Sequence, residues 1–253
     1  MSRTYTSIIN QDFDEVKNLI KSKTTNYKLD YKQIFKELEL FHSYFYKFRD
    51  VLEQLDYKNP KAYCAVQEGV EGIFDFIWLI ISSRYKSCII TFRSSIEMLV
   101  KGLMREYLPD KETNRFSNNI EIIIKQLRLK VCANLNSLKD KRKLKKFLEE
   151  NYTYKIRELY SDLSEIVHGK YTNKNKGFSQ YLEEITQVST NYNKKQYNDI
   201  INESINLLKL MLELTIIINF KYLSENMNSY KLNLIVEGLS IEFKKFKCEY
   251  LFI

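Results

Sequence analysis

Arg93 is out of keeping with its neighbours. Positions three, four and seven residues away on a helix are Ile89, Ile90, Ile96 and Val100, all apolar. A guanidinium on or beside such a stripe must be paired or hydrated. Glu97 stands one helical turn further on, within side-chain reach. One reading is an internal Arg93–Glu97 pair that orients the helix. The other is an arginine aimed into a polar cleft, where it holds a phosphate or a carboxylate.

The stretch 161–169, SDLSEIVHG, is the second anomaly. Leu159, Leu163 and Ile166 form its apolar stripe, while Ser161, Ser164, Glu165 and His168 line a flank beside it. His168 falls in the last turn, where the helix dipole favours the protonated ring. That suits a general acid or a cationic phosphate ligand. A histidine that merely bonds the free carbonyls of a helix end explains the same pattern.

A third feature is the basic run 139–146, KDKRKLKK. Its Lys141, Arg142, Lys143, Lys145 and Lys146 could contact phosphates, with salt-sensitive affinity. Glu149 and Glu150 follow, and a solvated helix face balanced by them is the alternative. The 19 tyrosines could stack on single-stranded bases, although filling the core and its rim is the simpler use. His42, between the stripe residues Phe41 and Phe45, is expected at the surface or its boundary, not as a ligand.

These residues need helices to place them. Residues 11–24 and 30–57 read as amphipathic helices, the second with Ile34, Leu38, Phe41, Phe45, Phe48 and Leu52 on one stripe. Asn59-Pro60 punctuates, with Pro60 suited to the first turn of a helix reaching about Ser82. Further helices are expected over 84–107, ending before Pro109, and over 118–135, 139–150 and 153–168, the last stopping at Gly169. Residues 170–177 read as a loop and 195–226 as one long helix. The tail is ambiguous: Ile241/Phe243 and Phe246/Cys248/Tyr250 alternate like strands, whereas Leu232/Ile235/Leu239 step like a helix. The expected organisation is an N-terminal helical segment over 1–58 packing on a bundle over 59–230, followed by a tail over 231–253 that is a helix or a short hairpin.

Composition agrees with an all-α chain. Six glycines and two prolines in 253 residues, where average usage would give roughly 18 and 13, are too few for an all-β sandwich or barrel. With 44% hydrophobic residues the chain can bury a sizeable core. Its net charge is +8, a balance that favours phosphate backbones or simply a lysine-rich surface. No phosphate-binding loop, dinucleotide fingerprint, hydrolase elbow or HExxH motif is present. Two histidines and four scattered cysteines make no zinc spacing, so neither metal nor cofactor is expected. The apolar runs 73–81 and 207–220 carry charges and are too short for membrane spans. With no apolar leader at the N-terminus and cysteines far apart, a reducing cytoplasm is expected.

The order of RSSIEMLVKGL at 93–103, intervening helices, and LYSDLSEIVHG at 159–169 resembles the HEPN superfamily over about residues 65–225. The resemblance implies a small all-α helical bundle, usually homodimeric, of a kind common in toxin–antitoxin and abortive-infection phage defence. Active members are metal-independent endoribonucleases with an arginine separated by four to six residues from a following histidine on one helix face. Two such motifs meet across the dimer. His168 matches that histidine, but Ser161, Asp162 and Leu163 occupy the arginine's place, and Arg157 is eleven residues upstream. The resemblance therefore leaves two functions open. In one, Arg93 from a neighbouring helix joins His168, with Glu97 and Ser164 beside them, to cut RNA; phosphodiester cleavage through a 2′-hydroxyl needs a proton shuttle and a fixed cation. In the other, the chain is a non-catalytic partner, antitoxin or scaffold of a defence operon, or an RNA- or nucleotide-binding protein.

Overall fold

Asn59 and Pro60 open a helix as their chemistry requires: the Asn59 side chain accepts from the Lys61 backbone N–H at 2.9 Å, and Pro60 occupies the first turn. Ser137, Asn228 and Ser240 cap later helices in the same way. The computed structural model describes residues 4–23, 31–82, 84–133, 135, 137–165 and 194–251. The helices are α1 (Tyr5–Lys23), α2 (Tyr31–Gln54), α3 (Pro60–Ile81), α4 (Tyr85–Tyr107), α5 (Phe116–Ala133), α6 (Leu138–Leu148), α7 (Tyr154–Glu165), α8 (Lys194–Asn226), α9 (Ser229–Glu237) and α10 (Ile241–Phe246). A widened π-type turn, Glu149–Thr153, joins α6 directly to α7. Among the described residues there is no strand, and the protein is an all-α helical bundle.

The bundle is organised around α8. Its 33 residues span about 50 Å at 1.5 Å per residue, and α2, α4, α7 and α9 all pack on it. From Leu207 to Phe220 it is buried on most sides, which is why that stretch reads as an apolar run interrupted by charge only at Lys209 and Glu213. The stripe anticipated in α2 is buried throughout, from Ile34 to Leu52. The other apolar run, 73–81, is two-faced: Ile73, Phe76, Ile80 and Ile81 are buried, but Phe74 and Trp78 are exposed.

The tightest pairing is between α3 and α4. Gly69 and Gly102 permit it: a Cβ on Gly69 would stand 2.7 Å from Leu99 Cγ and 2.9 Å from the Ser95 carbonyl oxygen, and one on Gly102 would stand 2.5 Å from Val66 Cγ2. One continuous apolar core takes in residues from Tyr5 of α1 to Phe246 of α10. Among the described residues no helix is long and apolar enough to cross a membrane, and the four cysteines are free.

One open alternative is decided and one expectation is corrected. The alternation in the tail does not make strands: α9 and α10 are helices, Ile241 is 81% exposed, and Phe243 and Phe246 are both buried. Glu213 of α8 accepts from the Ser240 backbone N–H at 2.8 Å and so fixes the start of α10. His42 is not at the surface. It is 5% exposed, its Nε2 lies 2.7 Å from Asp12 Oδ2 of α1, and its Nδ1 is buried without a partner. The reason is that α1 lies across this face of α2, which periodicity within α2 does not reveal. The expected helix end at Gly169 and loop at 170–177 lie outside the described residues.

Candidate functional site

Tyr160 of α7 occupies the place where Arg93 and Glu97 would meet. Arg93 Nη2 donates to the Tyr160 hydroxyl at 2.9 Å, and that hydroxyl donates in turn to Glu97 Oε1. The guanidinium carbon lies 4.5 Å over the Tyr160 ring, and Phe116 stacks on the same ring at 4.1 Å. Two groups this close cannot share one face, so the ring is held from both sides. Burial, then donation to Glu97, pushes the Tyr160 pKa up to about 12. At neutral pH it is therefore a fixed donor and not a base.

In front of Tyr160 opens a cleft of about 430 Å³ between α4, α5 and α7. Glu97, Phe116 and Tyr160 line it, Arg115 and Arg157 supply positive charge, and Ser161 and Ser164 present hydroxyls from successive turns of α7. Arg93 is not among the lining residues; it stands behind Tyr160, with Nε buried and unpartnered. Ser164 lines the cleft while its hydroxyl returns a hydrogen bond to the Tyr160 carbonyl at 2.9 Å. His168 lies outside the described residues. Of the sequence-derived set, the structure therefore gathers Glu97 and Ser164 at the cleft and puts Arg93 in its supporting layer.

Arg115 and Phe116 are held at the mouth by Asn119. Its Oδ1 accepts from the Thr113 N–H at 2.8 Å and the Thr113 hydroxyl at 2.9 Å, and its Nδ2 donates to the Thr113 carbonyl at 2.9 Å. Asn119 is fully buried, and so closes the loop before α5 from inside. A bidentate Arg105–Glu112 pair, at 3.0 and 3.1 Å, anchors the other end of that loop. No periodic signal marks Tyr160, Arg115 or Asn119 as site residues. The spacing of Ser161 and Ser164 places those two on one flank of α7, whereas Arg157, read in the sequence only as too far upstream of His168, joins them at the cleft in the structure.

The basic run forms α6, with Leu144 and Leu148 facing the core. Lys145 and Lys146 approach Glu149 and Glu150 at 3.8 and 3.7 Å. Lys141, Arg142, Lys143 and Lys146 line no part of the cleft, whereas Lys145 borders a second hollow of about 260 Å³ between α5 and α6. Among the described residues no cluster of His, Cys, Asp or Glu could hold a metal ion. Compared with protein-family models, curated proteins and solved structures, the chain matches none of them.

Proposed function

We propose that the protein acts on RNA through the cleft between α4, α5 and α7, as a HEPN-like component of a phage-defence or toxin–antitoxin system. The observation that carries this reading is the cleft's make-up. Two guanidiniums, Arg115 and Arg157, flank a stacked aromatic pair, Phe116 and Tyr160, with hydroxyls opposite. Guanidiniums suit phosphate oxygens, and the aromatic pair, with Phe116 buried and Tyr160 held on both faces, forms a rigid wall between them. His168, three positions along the sequence from Glu165 and outside the described residues, supplies the proton shuttle in this proposal. It takes the proton of a 2′-hydroxyl as O2′ bonds to phosphorus, and as the bond to O5′ breaks the imidazolium gives that proton to the leaving oxygen. Arg115 and Arg157 neutralise the charge that gathers on the phosphoryl oxygens. Glu97 and Arg93 act through Tyr160 and are positioning residues.

A second reading, a non-catalytic partner or scaffold subunit, draws on a different observation. Arg93 is committed to Tyr160, and Ser161, Asp162 and Leu163 stand where the resembled family has its arginine. Incubation with total RNA in EDTA across a protein titration separates the two. Products ending in 2′,3′-cyclic phosphate, lost in His168→Ala, support catalysis. Intact RNA with retained binding supports the partner reading, and absence of both binding and cleavage overturns the RNA proposal.

A further inference from the structure

The cleft and the second hollow are two ends of one furrow. α5 presents Ser117, Glu121, Lys125 and Arg128 at steps of four, four and three, a single helix face. α7 presents Tyr154, Arg157, Ser161 and Ser164 at helical spacing. Ser117 borders the cleft together with Ser161 and Ser164, whereas Lys125 and Arg128 border the second hollow together with Tyr154. The two helices are therefore antiparallel across one depression. From Ser117 to Arg128 it runs about 16 Å.

Among the described residues one ion pair crosses it. Arg157 lines the cleft, Glu121 lines the second hollow, and the two are bonded to each other. Both side chains are half exposed, at 46% and 51%, and exposed pairs of this kind hold weakly. On the far side, Lys125 and Arg128 have no acid within ion-pair distance among the described residues. The lining thus sets Arg115, Arg157, Lys125, Arg128 and Lys145 against Glu97, Glu121 and Glu149, with Glu121 alone bridging the two hollows.

We propose that Glu121 is a built-in stand-in for phosphate. It neutralises Arg157 in the empty protein and gives way when a single-stranded RNA lies along the whole furrow, its backbone running from Arg115 and Arg157 to Lys125, Arg128 and Lys145. This rests on the reading that the cleft takes RNA. The two helices meet across the depression through Phe116 and Tyr160 and through Glu121 and Arg157, and a furrow bridged in this way is expected to seat one backbone and not a duplex. Tyr154, 58% exposed beside the cations, offers an open surface for a base.

Fluorescence anisotropy with a labelled 2′-O-methyl uridine octamer, which cannot be cleaved through its 2′ oxygen, tests the proposal. Glu121→Gln is expected to tighten binding about three- to tenfold and to steepen the salt dependence by about one ion. The Lys125→Ala/Arg128→Ala variant is expected to weaken the octamer at least tenfold while leaving a dinucleotide unchanged. A gain of affinity cannot come from misfolding, which keeps the test decisive if another variant is unstable. Octamer binding that needs Arg115, yet ignores Glu121→Gln and the double variant, overturns the furrow and leaves the cleft reading standing. A duplex binding as tightly as the single strand also overturns the furrow. Failure of the octamer to bind the native protein at all overturns both.

Discussion

Arg93 and Tyr160, 67 positions apart, are locked together twice over: Nη2 donates to the phenol oxygen at 2.9 Å, and the guanidinium carbon rests 4.5 Å over the ring. This contact turns the arginine away from the cleft and makes the tyrosine the wall of it. It also explains how a cation is tolerated beside Ile89, Ile96 and Val100, all fully buried. The charge is met by an aromatic face and, through the phenol, by Glu97.

Removing the hydroxyl alone should separate the relay from the stack. Tyr160→Phe keeps the ring between Arg93 and Phe116 but leaves the guanidinium and the carboxylate without their shared partner. The expected loss is about 1–2 kcal/mol in urea unfolding. Arg93→Met and Glu97→Gln should be non-additive with it, by about 0.5–3 kcal/mol in a double-mutant cycle. Strict additivity would mean that the three groups do not act as one.

Asn119 should matter to binding without touching ligand. Asn119→Ala strands the Thr113 N–H and carbonyl inside the loop, at a cost of about 1–3 kcal/mol. Octamer affinity should fall with it, because Arg115 and Phe116 lose their fixed position. Hydrogen exchange confined to the loop before α5 would locate the effect.

The pairing of α3 with α4 predicts that a better helix former is worse here. Gly69→Ala should gain up to about 1 kcal/mol in helix propensity. It would also press a methyl to 2.9 Å from the Ser95 carbonyl and 2.7 Å from Leu99 Cγ. Overpacking costs typically about 1–3 kcal/mol, so net destabilisation is expected, read as a lower urea midpoint.

His42 sets a pH dependence with a definite sign. Burial lowers its pKa below the ordinary 6.5, against the opposing pull of Asp12. The unfolded chain then binds more protons than the folded one between the depressed folded value and 6.5. Stability is therefore full above about pH 6.5 and falls as the pH drops through that window. His42→Gln should flatten the slope there, as measured by unfolding at a series of pH values; an unchanged slope would assign it to other groups.

The sequence alone determined the elements. Helical periodicity in α2, the Asn59-Pro60 start of α3, the Pro109 stop after α4 and the length of α8 are all local properties, written in residues within a few turns of one another. It also singled out Arg93 as misplaced and Ser161 and Ser164 as sharing a flank. Only the tertiary structure decided what meets what. Tyr160 as the partner of Arg93, Glu121 as the partner of Arg157, α1 over His42 and Glu213 under α10 each depend on which faces the helices turn to one another. A charged residue on a helix flank is compatible with many neighbours, and periodicity specifies the buried face without naming what covers it. The choice is made by long-range packing around α8, which is why the cleft became visible only when the helices were assembled.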